Sequence, residues 1–402
     1  MFSTYRELFQ ARGAKGFALA GLLARLPLPM TGIGIITMLS QITGSYGLAG
    51  AVAATFVLTY ALMSPQISRL VDGHGQRRIL PAAAGLSVLG ILMLLACSYW
   101  RLAEWTLFIG AALAGFMPSM SAMVRARWTA IYRGKAQLQT AYSLETVLDE
   151  VTFIAGPPIS VGLSVAVLPQ AGPLAAAVLL AIGVFALVVQ VGTEPPVETE
   201  AITGQDSNSV FRVADVRLLT LLMVAMGVIV GTVDIVSVAF AEQMGMPAAA
   251  SVVLSCYAIG SCVAGLVFGA LKLDTPLHKL LLLGGLATAA TTLPLLLVGN
   301  IVGLAGAVLI AGLFFAPTMI VAMSLVERIV PESKLTEGMT WLLAGLNVGV
   351  AGGAAASGQV VDAWGAKTGF NVAMAAGAAV LLVALWGYQR IRARARQASY
   401  SF

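Results

Sequence analysis

Charged residues are scarce in this sequence. Asp, Glu, Lys and Arg together make up 10% of its 402 residues, whereas hydrophobic residues make up 59%. A soluble domain carries about 25% charged residues, so the composition excludes an ordinary water-soluble protein. A single protein core cannot bury so much apolar surface, and we expect most of it to face a lipid bilayer.

Cysteine and histidine are also few, with three and two copies. Cys97, Cys256 and Cys262 all fall in apolar stretches, and His74 and His278 fall at short loops. Neither set has the spacing of a metal site or of a disulfide framework. The sequence also lacks the GxxxxGK[ST] loop that holds the phosphates of ATP. We therefore expect no metal, no cofactor and no enzyme activity.

Long apolar runs are abundant. A helix that crosses a bilayer needs about 20 mainly apolar residues, and these runs are too long and too continuous for the strands of a membrane barrel. The pattern predicts an all-α membrane protein with twelve transmembrane helices in two pseudo-symmetric six-helix bundles. The predicted spans 1 to 12 are residues 16–43, 47–71, 79–98, 103–129, 138–165, 172–192, 216–243, 248–271, 279–298, 301–327, 336–361 and 368–388.

A polar interval divides the predicted spans into two sets of six. Its sequence, TEPPVETEAITGQDSNSVFRVADVR, has two prolines near its start, continues with acidic and small polar residues, and shows no apolar period. This composition is typical of a linker. We predict an N-terminal bundle over residues 1–192, a cytoplasmic linker over 193–215, and a C-terminal bundle with a basic cytoplasmic tail over 216–402.

Lys and Arg lie almost entirely on one side of the predicted membrane. If the N-terminus is cytoplasmic, the loops on the other side contain only Arg101 and Lys367, and Arg25 lies within the first span. Positive residues concentrate in the cytoplasmic loops of membrane proteins. We therefore predict a multi-pass protein of the cell inner membrane with both termini in the cytoplasm. This bias accounts for the net charge of +5, and we expect no nucleic-acid partner.

The segment after span 2, SRLVDGHGQRR (68–78), carries an acid, two glycines and two consecutive arginines. It resembles the loop between helices 2 and 3 of the major facilitator superfamily, which reads Gly-x-Leu-x-Asp-Arg-x-Gly-Arg-Arg. The matching residues are Leu70, Asp72, Gly75, Arg77 and Arg78. The resemblance implies that Asp72 latches this loop to the start of helix 11, near residues 333–337, and that the latch holds the outward-facing state. The other interpretation is a plain positive-inside loop.

A second resemblance concerns span 5. Exporters of the same superfamily have a Gly- and Pro-rich stretch in helix 5 that lets it pack closely on helix 8, and Gly156 and Pro157 of AGPPISVG match it. Simple packing by small residues is the alternative interpretation. Further motifs are similar to a bacterial, drug-exporter-like branch, and the resemblance, which covers the whole chain, implies a transporter. These motifs are RARW (125–128), SLETVLDE (143–150) and ERIVPESKLTEGMTW (327–341).

Span 11 contains a glycine at every fourth position, namely Gly345, Gly349 and Gly353. Residues four apart lie on one face of a helix. Glycines on one face let membrane helices approach closely, so this repeat predicts helix packing and no further role.

Charged residues inside the predicted spans are the strongest functional signal. Span 5 contains Glu145, Asp149 and Glu150, which lie roughly 10–18 Å from its cytoplasmic end. An ionised carboxylate that faces lipid at this depth costs several kcal/mol, so we expect these acids to face the protein interior, a cation or a water-filled cavity. Burial and mutual repulsion both favour the protonated form of a carboxyl group, which is the property that a proton-coupling residue needs.

Three arginines are candidate partners for these acids. Arg25 lies within span 1, and Arg125 and Arg127 lie near the inner end of span 4. We expect one of the latter two to pair with Glu145, and Arg25 to pair with either of the other two acids of span 5. The pairs form either a structural network that fixes spans 1, 4 and 5 or a part of the transport machinery.

Asp234 stands alone in the second half, deep in span 7, with no basic residue within many turns of its helix. In the major facilitator superfamily, helices 1, 4, 7 and 10 line the central cavity. The resemblance therefore implies that Asp234 faces this cavity and binds protons or a cationic substrate there. The alternative is a neutral aspartic acid that is hydrogen-bonded to a neighbouring helix.

These features predict a secondary transporter that exports a small organic molecule in exchange for protons, by alternating access. The alternative is a proton symporter that imports an organic anion or a sugar, with Arg25 binding the substrate. A candidate from a different class is a sensor or lipid-handling protein on the same scaffold. The expected partners are the small-molecule substrate, protons and the lipid bilayer, and we expect the chain to act as a monomer.

Overall fold

The computed structural model describes residues 2–43, 46–197, 209–246, 249–271 and 275–399. Within these ranges the chain forms fifteen α-helices and no strand, which confirms the predicted all-α fold. The helices are α1 (Phe2–Leu8), α2 (Ala14–Arg25), α3 (Pro27–Thr43), α4 (Tyr46–His74), α5 (Gln76–Tyr99), α6 (Glu104–Ala114), α7 (Met120–Tyr132), α8 (Gln137–Ala166), α9 (Ala171–Val188), α10 (Ala214–Gln243), α11 (Ala249–Ala270), α12 (Leu277–Leu296), α13 (Ile301–Ile329), α14 (Leu335–Trp364) and α15 (Ala366–Ser399).

The helices account for twelve membrane spans. Ten segments of the described chain are long and apolar enough to cross a membrane, with α2 and α3 together forming one of them. The other two are α8, which is 30 residues long but carries three acids, and the pair α6 and α7, each of which is too short to cross alone. The predicted twelve-helix fold is thus confirmed, and α1 is an additional short helix before the first span.

Two spans are interrupted, whereas the sequence analysis predicted them as continuous helices. Span 1 breaks between Arg25, which ends α2, and Pro27, which opens α3. Span 4 breaks between α6 and α7, over residues 115–119, which include Pro118. Proline lacks a backbone N–H and its ring clashes with the preceding helical turn, which favours an interruption at both places. At Gly115 the backbone also packs tightly, since a Cβ there would lie 2.5 Å from the Thr59 Cβ on α4.

Glycines allow α10 and α14 to approach closely. A Cβ atom at Gly349 would lie 2.1 Å from the carbonyl oxygen of Val224, and one at Gly353 would lie 2.3 Å from that of Val228. Only glycine permits two helix backbones to come so near. The predicted packing role of the glycine repeat in span 11 is therefore confirmed.

The first half of the chain (α1–α9) meets the second half (α10–α15) through few helix pairs, chiefly α4 with α14 and α8 with α11 and α13. We call the membrane face at which α4 ends and α14 begins the basic face, because Arg77 and Arg78 in the first turn of α5 and Arg133 just after α7 lie there. The predicted linker falls between α9 and α10, and its residues 198–208 lie outside the described ranges. The domain boundaries therefore stay a prediction.

Candidate functional site

Arg25 lies at the centre of a buried cluster of charges between α2, α7 and α8. Its guanidinium forms ion pairs with Glu145 and with Asp149, and its distance to the latter is 3.0 Å. Its Nε also donates a hydrogen bond to the carbonyl oxygen of Gly21 at 3.2 Å. Because Pro27 opens the next helix, Arg25 falls in the last turn of α2, where the helix dipole stabilises a positive charge.

Asp149 forms a second ion pair, with Arg125 of α7. The Arg125 Nη2 donates to its Oδ2 at 2.8 Å, and the Ser121 hydroxyl donates to its Oδ1. The Arg125 side chain is fully buried and that of Asp149 is 14% exposed. Two arginines, Arg25 and Arg125, thus neutralise two acids, Glu145 and Asp149, within one cluster.

Trp128 binds the carboxylate oxygen of Glu145 that Arg25 does not bind. Its indole Nε1–H donates a hydrogen bond to the Glu145 Oε1 at 2.7 Å, and both side chains are fully buried. The sequence analysis did not assign Trp128 to the site. Trp128 lies three residues after Arg125, so both lie on one face of α7. From the sequence, this spacing could have indicated that Trp128 lies beside the charge cluster.

Arg127 binds no acid and does not join this cluster. It donates to the Gln76 side chain at 2.7 Å, to the Thr193 hydroxyl at 2.6 Å, and to two carbonyl groups at the end of α9. Residues two apart on a helix point in directions about 200° apart, so Arg125 and Arg127 cannot both face α8. The expected pairing of Arg125 or Arg127 with Glu145 is corrected by the structure, which pairs Glu145 with Arg25.

The charge cluster encloses little free space. A cavity of about 20 Å³ lies beside Arg25, Tyr60, Ser121 and Asp149. A water molecule needs roughly 10–15 Å³ by this measure, so the cavity has room for one water and is too small for an organic substrate. The cluster therefore organises the first half of the chain without offering a substrate pocket of its own.

Glu150 points away from the cluster and meets the second half of the chain. Its Oε1 accepts a hydrogen bond from the Ser261 hydroxyl of α11 at 2.8 Å. Asp149 and Asp234 both lie close enough to interact with Glu150 electrostatically. Adjacent helical residues differ in direction by about 100°, which explains why Asp149 faces the arginines and Glu150 faces α11.

Asp234 lies in the middle of α10 and is partly exposed. Within the described ranges it makes no hydrogen bond and no ion pair. The phenol of Tyr257 on α11 lies near both Asp234 and Glu150. These two acids come from opposite halves of the chain, and no arginine or lysine of the described residues neutralises either of them.

Asp72 reaches across the two halves at the basic face. Its carboxylate accepts hydrogen bonds from the backbone N–H groups of Thr336 at 3.3 Å and Glu337 at 2.8 Å. These groups form the N-terminal turn of α14, where the helix dipole favours a negative charge. This is the contact that the resemblance implies for the latch.

The other residues of the latch motif shape the turn between α4 and α5. Gly75 has a φ of 87°, a conformation that glycine adopts without strain. The side chains of Arg77 and Arg78 are exposed, and the backbone N–H of Arg77 donates to the Glu194 carboxylate at 2.8 Å. The two arginines therefore mark the basic face and do not form the contact to α14.

Further contacts join the two halves at the basic face. Arg133 forms ion pairs with Glu327 at 3.2 Å and with Glu332 at 2.6 Å. Near the start of α8, the Gln139 amide donates to the carbonyl of Phe268, and the Thr140 hydroxyl donates to the carbonyl of Gly269 at 2.6 Å. The last carbonyl groups of α11 have no partners within their own helix, so these side chains cap it across the junction. The protein is closed at its basic face.

Gly156 and Pro157 lie within α8, as predicted, but Gly156 faces a different helix from the one expected. A Cβ atom at Gly156 would lie 2.8 Å from Pro29 of α3. The close approach of α8 to α11 depends instead on Gly265 and Gly269 of α11. The resemblance placed this packing on the glycine of span 5, and the structure places it on the glycines of span 8.

Metal ligands are not grouped in the part of the chain that the structure describes, where no three or more His, Cys, Asp or Glu side chains come together as a metal site. Cys97 is buried, and Cys256 and Cys262 are partly buried, all three as free thiols.

Solved structures of transporters share this fold. The fucose:proton symporter of E. coli is 16% identical with a TM-score of 0.69, and the alignment covers 92% of this chain and 98% of the symporter. A bacterial homologue of the iron transporter ferroportin, in an outward-facing state with soaked iron, is 14% identical with a TM-score of 0.73 over 93% of this chain and 98% of that one. The human organic anion transporter MFSD10 is 14% identical with a TM-score of 0.69, and the alignment covers 93% of this chain and 98% of that one.

These identities are low, so the likeness concerns the fold alone. No curated protein matches the chain in sequence. The sequence profile described as Major Facilitator Superfamily, however, matches residues 17–302 and 222–400. Since these two matches together span nearly the whole chain, the protein belongs to the major facilitator superfamily of membrane transporters.

Proposed function

We propose that this protein exports a small organic molecule in exchange for protons, by alternating access between its two halves. The observation that carries the proposal is that Glu150 of α8 and Asp234 of α10 lie within electrostatic range of each other. Neither is neutralised by an arginine or lysine of the described residues. A carboxyl group without a countercharge inside a membrane needs a proton or a cationic ligand. In a proton-coupled exporter, the proton and the substrate compete for the same carboxyl group.

The engagement of Arg25 bears on the alternative, a symporter that imports an organic anion or a sugar. That function requires Arg25 to present free N–H groups to the substrate. Its Nε, Nη1 and Nη2 all donate to protein oxygens of Gly21, Glu145 and Asp149, and the residue is only 4% exposed. The geometry therefore supports a substrate site near Glu150 and Asp234 more than one at Arg25.

The closed basic face fits one state of an alternating-access cycle. If this face is cytoplasmic, as the distribution of Lys and Arg predicts, the structure is outward-facing and Asp72 holds the latch. The same distribution supports a place in the inner membrane with both termini in the cytoplasm. Action as a monomer and membership of a drug-exporter-like branch are parts of the same proposal.

Two steps test this function. Detergent-purified protein is first screened by thermal shift against drugs, sugars, amino acids and siderophore-like anions, which identifies compounds that bind. Each hit is then added to inverted vesicles with an acidic lumen, where an antiporter substrate drives proton release and a symporter substrate does not. We expect proton release in the wild type and its loss in Asp234→Asn and Glu150→Gln.

Glu104→Gln is the matched control, because Glu104 is an exposed acid in the first turn of α6. It should retain full exchange. Insertion of every variant is checked by its yield in the membrane fraction. If both Asp234→Asn and Glu150→Gln exchange substrate against the pH gradient at the normal rate, the proposed coupling is wrong. A hit that enters right-side-out vesicles together with protons from an acidic exterior would instead favour the symporter.

A further inference from the structure

The helices α8 and α11 belong to different halves of the chain and pack along each other from the midplane to the basic face. We call this contact the α8–α11 seam. A Cβ atom at Gly265 would lie 3.2 Å from Val147, and one at Gly269 would lie 2.3 Å from the Cβ of Ser143. At the basic end, the side chains of Gln139 and Thr140 cap the carbonyl groups of α11. The seam must part when the protein opens toward its basic face.

One hydrogen bond crosses this seam near the middle of the membrane. The Ser261 hydroxyl of α11 donates to the Glu150 Oε1 of α8 at 2.8 Å, and Ser261 is fully buried. The acceptor is one of the two acids that the proposed function assigns to proton coupling. The bond therefore joins a group that gains and loses a proton to a helix that moves with the other half.

We propose that Ser261 is a positioning residue that links the protonation of Glu150 to the opening of the α8–α11 seam. This inference rests on the proposed function. With Glu150 ionised, the Ser261 hydroxyl bonds a charged acceptor and the seam stays closed. When a proton enters from the open side and binds a carboxylate oxygen of Glu150, the acceptor becomes neutral and the bond across the seam weakens.

The strength of this link follows from the charge of the acceptor. Hydrogen bonds to ionised groups are roughly twice as strong as those between neutral groups. The donor of this bond, the Ser261 hydroxyl, is fully buried. A single proton can therefore shift the balance between the closed and the open seam by about fivefold, in line with the measured difference between charged and neutral hydrogen bonds.

Several ionisable groups lie within electrostatic range of Glu150. Asp149 lies beside it on α8, Asp234 approaches from α10, and Tyr257 and Cys262 approach from α11. Asp149 is neutralised by its two arginines. The charge of Asp234 therefore acts on Glu150, whereas the bond across the seam belongs to Glu150 alone.

The test measures the width of the seam at the basic face as a function of pH, without any substrate. Spin labels are attached to Ala136→Cys and Leu271→Cys, two exposed positions at the adjoining ends of α8 and α11. Cys97, Cys256 and Cys262 are replaced by alanine in every variant. Dipolar broadening between the labels in reconstituted protein reports the closed fraction. We expect the ratio of closed to open protein to fall about fivefold from alkaline to acidic pH.

Ser261→Ala removes the donor and should abolish this pH response, whereas Ser261→Thr keeps a hydroxyl and should restore it. Ser143→Ala is the matched control, since Ser143 is a buried serine of the same seam whose hydroxyl has no partner in the described part of the chain. It should leave the response unchanged. If Ser261→Ala does not fold, Ser261→Val and Ser261→Thr form a second pair of equal size that differs in the hydroxyl group.

The outcomes separate this inference from the proposed function. A wild-type response that persists in Ser261→Ala, or in Ser261→Val, overturns the role of Ser261 and leaves the coupling acids in place. If the seam of the wild type does not respond to pH, Glu150 does not control the junction. This result overturns both the role of Ser261 and the coupling role of Glu150. Loss of the response in Ser143→Ala as well as in Ser261→Ala attributes the effect to packing and also overturns the inference.

Discussion

The carboxylate of Asp72 accepts a hydrogen bond from the backbone N–H of Glu337 at 2.8 Å, across the junction of the two halves. Asp72 ends the second span, and Glu337 lies in the first turn of α14. A negative charge at a helix N-terminus is worth about 0.3–1 kcal/mol at an exposed site and up to about 2 kcal/mol when partly buried. The contact thus favours the state that is closed at the basic face, and it breaks whenever that face opens.

Replacing Asp72 by asparagine should loosen this junction. Asp72→Asn keeps the size of the side chain but removes its charge, so we expect the open fraction at the basic face to rise about fivefold, which corresponds to about 1 kcal/mol. Val71→Cys, buried beside the junction, serves as the reporter in a background without other cysteines. Its rate of labelling by a membrane-impermeant maleimide is measured in inverted vesicles. Arg78→Gln, an exposed change in the first turn of α5, is the control, and equal labelling in Asp72→Asn and wild type would contradict the latch.

Glu145 should matter more for stability than for coupling. It pairs with Arg25 and accepts the Trp128 indole N–H, so Glu145→Gln leaves a buried arginine with too little negative charge. Breaking a buried pair in this way costs roughly 3–5 kcal/mol. We expect a clear drop in the melting temperature of the detergent-purified protein. Glu150→Gln breaks no ion pair and should melt close to the wild type, and a larger drop in Glu150→Gln than in Glu145→Gln would refute this assignment.

Two glycines of α14 offer a matched test of helix packing. Gly349 faces α10, where a Cβ atom would lie 2.1 Å from the carbonyl oxygen of Val224, whereas Gly352 has no atom within 4 Å of that position. Gly349→Ala should force the helices apart and destabilise the protein by about 1–3 kcal/mol. Gly352→Ala should be neutral or stabilising, because alanine favours the helix by up to about 1 kcal/mol. Thermal unfolding of both variants checks the difference, and similar melting temperatures would rule out the close contact.

Tyr5 should help to close the basic face. Its phenol on α1 donates a hydrogen bond to the carbonyl of Leu266 on α11 at 2.8 Å, and α1 is itself held by Tyr132, whose hydroxyl donates to the carbonyl of Leu8 at 3.0 Å. Burial raises the pKa of the Tyr5 phenol to about 12, so it remains a donor throughout the physiological range. Tyr5→Phe should raise the labelling rate of Val71→Cys by up to about fivefold, the effect of one net hydrogen bond.

The control for Tyr5 is Tyr99→Phe, which changes an exposed tyrosine at the end of α5. It lies at the other end of that helix from the basic face and should leave the labelling rate unchanged. A labelling rate in Tyr5→Phe that matches both the wild type and Tyr99→Phe would show that α1 does not restrain the junction.

The sequence predicted the charged residues of the interior but not all of their partners. Arg25, Glu145 and Asp149 were predicted as functional residues because charged residues are rare within apolar segments. In the structure they lie in one cluster. The assignment of Arg127 to the acids failed because the direction of a side chain depends on the helix rotation within the bundle. Local spacing shows that Arg125 and Arg127 point apart, but it does not show which of them faces α8.

Trp128 and Ser261 show a second limit of sequence-based prediction. Both are common residue types in membrane helices, and nothing in their local sequence distinguishes a core residue from a partner of a carboxylate. Trp128 lies 17 residues from its partner Glu145, and Ser261 lies 111 residues from Glu150. A single sequence carries no direct signal for contacts between residues so far apart along the chain.

The amino-acid sequence by itself determined that this chain crosses a membrane twelve times and belongs to a transporter superfamily, because apolar length and positive-charge bias act locally on each span. It also determined that the carboxyl groups within the spans had to avoid lipid, since an ionised carboxylate that faces lipid costs several kcal/mol. Only the tertiary structure decided which acids are neutralised and which are not. Helix rotation directs Asp149 toward two arginines and its neighbour Glu150 toward Ser261 and Asp234, and rotation is set by packing between distant helices.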